Sequence, residues 1–107
     1  MNMKKILKRT MRNEKLNRII PEGTEVTVSF PKEQCGRIVR FTTAEGISLS
    51  TRTNNIKQCI DITVPSEKTL YKWQEDGIGK SVSGLKVELD GWDYNGFPSW
   101  FLALGYI

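Results

Sequence analysis

The sequence predicts a small α+β domain: a three- to four-stranded antiparallel sheet with a central short helix, a basic N-terminal helix and an apolar C-terminal helix. Three observations predict it, namely an alternating apolar pattern over residues 24–51, a capped helix after Pro65 and an apolar run near the C-terminus. A chain of 107 residues, 38% of them hydrophobic, fits one domain with one core. We therefore expect residues 1–20 to form a basic helical arm and residues 21–107 a single α+β domain.

The N-terminal segment carries the positive charge of the chain. Residues 1–20 contain seven Lys or Arg side chains and one acid, whereas the remaining residues contain nine Lys or Arg side chains and eleven acids. No proline or glycine interrupts residues 3–20, which favours a helix. The first and last apolar residues of this helix would lie on opposite sides. The helix is therefore expected either to break near Asn13 or to contact two different surfaces, and to end before Pro21.

Residues 24–51 show the pattern of a β-meander. Val26 and Val28 alternate with polar neighbours, as in a strand with one buried face. A second run, Arg37–Thr43, is rich in β-branched and aromatic residues, and a short connection ending at Gly46 leads to a third alternating run. We expect a three-stranded antiparallel meander here.

Residues 51–64 allow two interpretations. A helix through Ile60 would place Ile56, Cys59 and Ile60 on one face and would supply the first helix of a helix-turn-helix. Alternatively, the period-two spacing of Ile60, Ile62 and Val64 predicts a fourth strand that joins the meander. The sequence leaves both interpretations open.

A short helix is predicted after Pro65. Ser66 is a good N-cap, and Glu67 lies in the first turn, where the helix dipole favours an acid. Leu70 and Trp73 share one face and are expected to tie the sheet to the C-terminal helix. Gly77 ends the helix.

The run SEKTLYKWQEDG resembles the second helix of the MerR and excisionase type of winged helix-turn-helix, with serine at the cap, a Thr-hydrophobic pair three residues later and glycine at the stop. The following GKSVSGLKVELD is similar to the wing of that family, with two extended segments joined at Gly84. The resemblance covers residues 66–90. It implies DNA binding, with one set of side chains facing the major groove and another meeting phosphate or the minor groove. These sets are Glu67, Lys68, Tyr71 and Lys72 on the helix and Lys80, Ser81 and Lys86 on the wing.

The C-terminal segment predicts a turn and a helix. Asn95 and Gly96 are typical of a tight turn, and Pro98 suits the first turn of a helix that continues through an apolar run to Gly105. The run must be enclosed, either in the core or in a dimer seam, so a homodimer remains an alternative. The pattern DGWDYNGFPSWFLALG also resembles the tails of small phage and mobile-element proteins.

The chain lacks residues that several functional classes of protein need. The chain contains no histidine and only two cysteines, Cys35 and Cys59, which we expect to be free. We therefore expect no zinc or other metal site, no His-dependent nucleophile, no cofactor and no small-molecule substrate. Glu88, Asp90 and Asp93 are interpreted as acids on a solvated strand edge. The chain also lacks an apolar run long enough for a membrane span and the apolar core of a signal peptide, so we expect a cytoplasmic protein.

We therefore expect a non-enzymatic nucleic-acid-binding accessory or regulatory protein, of the kind that phages and mobile elements encode. The helix from Ser66 and its wing would orient the complex. The alternative is a small inhibitor or adaptor that docks its basic helix on an acidic protein surface, and a third option is an arm that binds anionic lipid. Phosphate affinity is expected from five residues of the arm: Lys4, Lys5, Lys8, Arg9 and Arg12.

Overall fold

The computed structural model describes residues 3–107, which form a four-stranded antiparallel sheet, two small hairpins and three helices. The strands are β1 (Met3–Ile6), β2 (Met11–Asn13), β3 (Arg18–Ile20), β4 (Glu25–Ser29), β5 (Ile38–Thr42), β6 (Ser48–Arg52), β7 (Gly79–Lys80) and β8 (Lys86–Val87). The helices are α1 (Ile56–Cys59), α2 (Glu67–Asp76) and α3 (Trp100–Ala103), with 3-10 turns at Lys32–Gln34 and Thr53–Asn55. The main sheet has the order β1-β4-β5-β6, and β2–β3 and β7–β8 form separate hairpins. No helix in the described range is long and apolar enough to cross a membrane.

The predicted meander is confirmed as β4, β5 and β6. Val28 lies opposite Phe41, which in turn lies opposite Leu49, and all three side chains are buried. Val26 and Val39 are buried on the same side of the sheet. This inner face forms the core, and the polar residues between them point outward.

Residues 3–20 do not form the predicted basic helix. They form β1, β2 and β3, and β1 pairs antiparallel with β4 from Met3 opposite Val28 to Ile6 opposite Glu25. The segment therefore contributes β1 to the main sheet and forms the β2–β3 hairpin, and it is not a helical arm. Helix propensity is a weak preference, and here pairing with an open sheet edge outweighs it.

Burial accounts for the same correction. Leu7 and Ile20 are both buried in the core, which a straight helix with apolar residues on opposite sides could not achieve. Between them the chain reverses at Asn13, whose side chain accepts a hydrogen bond from the Leu16 N–H at 3.1 Å. Asn17 adopts a φ of 51°, a left-handed conformation that asparagine tolerates.

Residues 51–64 contain part of each predicted pattern. The 3-10 turn and α1 bury Ile56, Cys59 and Ile60 together, as the helical interpretation expects, but α1 is a single turn of four residues. After Ile60 the chain shows the burial alternation of a strand without forming a strand.

The helix after Pro65 agrees with its prediction. Ser66 Oγ accepts a hydrogen bond from the Thr69 N–H at 3.2 Å, and Gly77 ends α2 with a φ of 73°. Leu70 is buried and Trp73 is half-buried against the core. A Cβ placed on Gly79 would lie 3.3 Å from the Trp73 ring and 3.7 Å from the Phe101 ring. Gly79 of β7 therefore lies next to both Trp73 of α2 and Phe101 of the C-terminal helix.

The C-terminal helix is a single turn of four residues, of which Trp100, Phe101 and Ala103 are buried in the core. Its N-cap is Ser99, whose Oγ accepts a hydrogen bond from the Leu102 N–H at 3.1 Å. The prediction that Pro98 lies in the first helical turn is therefore wrong: Pro98 precedes the cap. Of the two free cysteines, Cys59 is buried and Cys35 is exposed.

Asp93 holds the C-terminal third of the molecule together. Its carboxylate accepts hydrogen bonds from the hydroxyls of Ser81 and Ser83, both at 2.6 Å. It also accepts the main-chain N–H groups of Asn95 at 2.8 Å and Phe97 at 3.0 Å. The expectation that Asp93 is a solvated edge residue is therefore wrong, because only 8% of it is exposed. The predicted turn at Asn95 is present and is closed by this carboxylate.

The position of the Phe97 ring connects this turn to the sheet. It packs edge to face against Phe30, with the ring centroids 5.9 Å apart.

Burial raises the pKa of Asp93, but the four hydrogen bonds to its carboxylate lower it by more, so this pKa lies below its ordinary value of 3.8.

Gly36→Ala tests the contact between the sheet and the C-terminal helix. Gly36 has a φ of 80°, and a Cβ there would lie 2.9 Å from the Pro98 Cβ. The matched control is Gly46→Ala, which has a φ of 91° and no atom within 4 Å of the new Cβ. Both changes should cost about 1–2 kcal/mol for the left-handed backbone. Gly36→Ala should cost about 1–3 kcal/mol more for the steric clash. Equal losses in urea unfolding would contradict this packing.

Asp93→Asn tests the carboxylate network. Because the pKa of Asp93 is lower in the folded than in the unfolded state, it stabilises the fold above pH 3.8, and this contribution is lost as the pH falls through the folded pKa. The variant should lose about 1–3 kcal/mol at neutral pH and show a smaller further loss in acid. The control is Asp90→Asn, at an exposed residue. The measurement is urea unfolding across a pH series. If the free energy of unfolding falls equally for wild type and Asp93→Asn as the pH is lowered, the network is not the cause of the loss of stability in acid.

Candidate nucleic-acid interface

Positive charge is concentrated in the sheet half of the molecule. Residues 1–60, which include β1 to β6 and α1, contain twelve Lys or Arg and five Asp or Glu. Residues 61–107 contain four Lys and seven Asp or Glu. A surface with a local excess of positive charge attracts polyanions even when the net charge of the protein is small. The sheet half is therefore the part of the fold to examine for a polyanion site.

A groove with a volume of about 340 Å³ lies between the β2–β3 hairpin, β6 and α1. We call it the hairpin groove. None of its lining residues is acidic, and most carry a hydrogen-bonding side chain, so it suits a ligand with anionic oxygen atoms. The lining residues are Arg9, Thr10, Met11, Arg12, Ser50, Thr51, Asn55, Gln58 and Cys59.

The two arginines of the hairpin groove are held differently. Arg9 Nη1 donates a hydrogen bond to Gln58 Oε1 at 3.4 Å, and both residues line the groove. Arg12 lies on β2 opposite Ile19 and is exposed, and its side chain makes no hydrogen bond or ion pair with residues 3–107. Its guanidinium donors are therefore available to a ligand.

Lys8 anchors the chain beside this groove. Its Nζ donates a hydrogen bond to the main-chain oxygen of Lys57 at 3.1 Å and lies 3.5 Å from the Asp61 carboxylate. Asp61 is 94% exposed, so this ion pair adds little to stability.

Burial raises the pKa of the Cys59 thiol, while the nearby charges of Arg9 and Lys8 oppose the rise.

The outer face of the four-stranded sheet carries further basic residues. The outward side chains alternate with the buried ones and include three bases, one acid and five hydroxyl groups. We call this surface the outer sheet face. It consists of Lys4, Ile6, Glu25, Thr27, Ser29, Ile38, Arg40, Thr42, Ser48, Ser50 and Arg52.

The pairing register joins this face to the hairpin groove. Arg40 lies opposite Ser50, which also lines the groove. The Arg18 guanidinium of the hairpin donates a hydrogen bond to the Ser48 main-chain oxygen at 3.3 Å. Lys5 points the other way from Lys4, towards the core side, and is half-buried.

Sequence reasoning missed Arg18, Arg40 and Arg52. A signal for Arg40 was present, because it lies in the predicted second strand between Val39 and Phe41, and alternation places it on the solvent side. Arg52 could be assigned only with the pairing of β6. Arg18 required knowing that its segment is a hairpin.

The structure does not bring the basic residues of α2 and the β7–β8 hairpin into the groove. Lys68, Tyr71 and Lys72 are exposed on α2, with Tyr71 65% exposed. The helix also carries three acids against its two lysines. Lys80 and Lys86 lie directly opposite each other in the β7–β8 pair and are exposed.

The acidic residues show no metal-binding arrangement. No group of three or more His, Cys, Asp or Glu side chains within residues 3–107 could hold a metal ion. Glu88 and Asp90 are exposed, whereas the Asp93 carboxylate is engaged by four hydrogen bonds.

Comparison with protein-family models, with curated proteins and with solved structures found no match to this chain.

Proposed function

We propose that this chain is a non-enzymatic nucleic-acid-binding protein with an accessory or regulatory role, and that it contacts phosphates through the hairpin groove and the outer sheet face. The main support is the hairpin groove, where Arg9 and Arg12 lie among polar side chains without an acid. Guanidinium groups bind phosphate strongly because they can donate two parallel hydrogen bonds. Contacts of this kind position a nucleic acid without reading its sequence.

The outer sheet face extends this surface. Lys4, Arg40 and Arg52 project from three of the four strands, and serine and threonine hydroxyls between them can donate to phosphate oxygens. Because Ser50 belongs to both surfaces, a nucleic-acid backbone could follow them continuously.

The winged helix-turn-helix resemblance adds a separate prediction for the other half of the molecule. Residues 66–87 follow the order of helix and then two-stranded hairpin that the resemblance implies, and α1 before them is a single turn. Contacts from Lys68, Tyr71, Lys72, Lys80 and Lys86 remain predictions that rest on this resemblance.

An acidic protein surface is the alternative ligand for the same basic residues. With residues 3–20 in strands, such a partner would meet the β2–β3 hairpin and not a basic helix. Nucleic acid is favoured because the hairpin groove combines arginines with many neutral hydrogen-bond donors, as phosphate contacts require.

The double variant Arg9→Gln/Arg12→Gln tests this proposal. Removal of both guanidiniums should weaken binding to a labelled random-sequence DNA duplex about tenfold or more. It should also make the slope of log affinity against log salt shallower by about two, because two phosphate contacts are lost. Fluorescence anisotropy over a salt series, repeated with single-stranded DNA and RNA of the same length, measures both effects.

The matched control is Lys68→Gln/Lys72→Gln, which removes the same charge from α2. If the interface is in the sheet half, this variant should leave the affinity nearly unchanged, whereas a comparable loss would place the interface on α2, as the resemblance implies. Deletion of residues 1–20 is not suitable, because it removes β1 together with the buried Leu7 and Ile20. No binding to any of the three nucleic acids at low salt would reject the proposal.

A further inference from the structure

The segment between α1 and α2 has the features of a strand but no partner strand. Ile60 is buried, Ile62 and Val64 are half-buried, and Asp61 and Thr63 between them are exposed. This alternation is typical of an extended chain with one face on a core. Four of the five residues are β-branched, which also favours a strand.

The backbone of this segment begins in an extended conformation and is unpaired after Ile60. Ile60 has φ −142° and ψ 161°, and Val64 precedes Pro65, which disfavours a helical conformation. The main-chain N–H and C=O groups of Ile62, Thr63 and Val64 make no hydrogen bond with residues 3–107. An unpaired extended edge is a template for an added strand.

A groove with a volume of about 480 Å³ runs along this edge and separates it from residues 80–84. Its apolar wall comprises Ile62, Val64, Pro65, Trp73, Val82 and Trp100. The half-buried Trp73 presents a large apolar surface next to an unpaired backbone. The groove can therefore accept apolar side chains from a strand that pairs with its edge.

The charge of the groove indicates a further feature of the ligand. Lys80 is the only charged lining residue, and it lies opposite Lys86 in the β7–β8 pair. Like charges directly opposite each other across two strands are unfavourable, and an acidic group between them relieves the repulsion.

We propose that residues 61–65 receive an extended peptide of a partner protein as an added β-strand, with alternate apolar side chains in the groove and an acidic side chain beside Lys80. This is the strand-addition mode of recognition, in which main-chain hydrogen bonds give affinity and pockets for alternate side chains give specificity. This groove shares no lining residue with the hairpin groove, so the two proposed sites are separate.

A second copy of the chain fits this edge less well than a partner peptide does. Its own segment ends at Pro65, which has no N–H to donate. Its one acid, Asp61, already pairs with Lys8 at 3.5 Å.

Amide exchange on the full chain tests the proposal. The probes are synthetic eight-residue peptides with Val, Ile, Leu or Phe at two positions spaced i, i+2 and Glu or Lys at a neighbouring position. Peptides with Glu should bind, and NMR-detected exchange should slow at alternate amides, either 62 and 64 or 61 and 63. The same peptides with N-methylated backbones keep their side chains and should bind at least about tenfold more weakly.

Lys80→Glu provides the specificity test. It should reverse the preference from peptides with Glu to peptides with Lys, whereas the control Lys72→Glu, on the exposed side of α2, should leave it unchanged. The proposal is overturned if no peptide slows exchange at residues 61–64, or if N-methylation has no effect. It is also overturned if the free protein is a dimer in which these amides are already protected.

Discussion

Four hydrogen bonds to one carboxylate determine the form of the C-terminal third of this molecule. The region contains little regular structure, since β7 and β8 have two residues each and α3 is a single turn. Asp93 joins the hydroxyls of Ser81 and Ser83 to the turn that ends at Phe97. Because Phe97 packs on Phe30, the same network also fixes this region against the meander. Hydrogen bonds to an ionised acceptor are stronger than neutral ones, and a fully satisfied network of this kind makes the structure around it rigid.

The positions of the two candidate surfaces follow from this architecture. The basic one depends on the pairing of β1 with β4, which places Lys4 on the same face as Arg40 and Arg52, and on the β2–β3 hairpin, which places Arg12 in one groove with Arg9. The apolar one depends on the region that Asp93 organises, because Val82 lies between Ser81 and Ser83. One surface carries an excess of positive charge, and the other carries main-chain groups without a hydrogen-bond partner among residues 3–107, so the two proposals concern separate parts of the fold.

The segment from Ile60 to Val64 shows why its sequence supported two interpretations. Up to Ile60 the buried residues follow the spacing of a helix, and after Ile60 half-buried and exposed residues alternate as in a strand. Neither pattern was misleading, but a strand also requires a neighbour, and none of residues 3–107 pairs with it. A local pattern therefore identifies a backbone that is suited to pairing, without identifying what it pairs with.

The sequence by itself determined the meander of β4 to β6 and the limits of α2, because alternation and capping are local properties that short stretches encode. It also predicted that Arg9 and Arg12 contact a polyanion, a prediction made for a helix that does not form. Only the tertiary structure decided that residues 3–20 are strands, that Arg40 and Arg52 share a face with Lys4, and that Asp93 is buried. These features depend on pairing and burial between residues far apart in the chain, which outweigh weak local propensities.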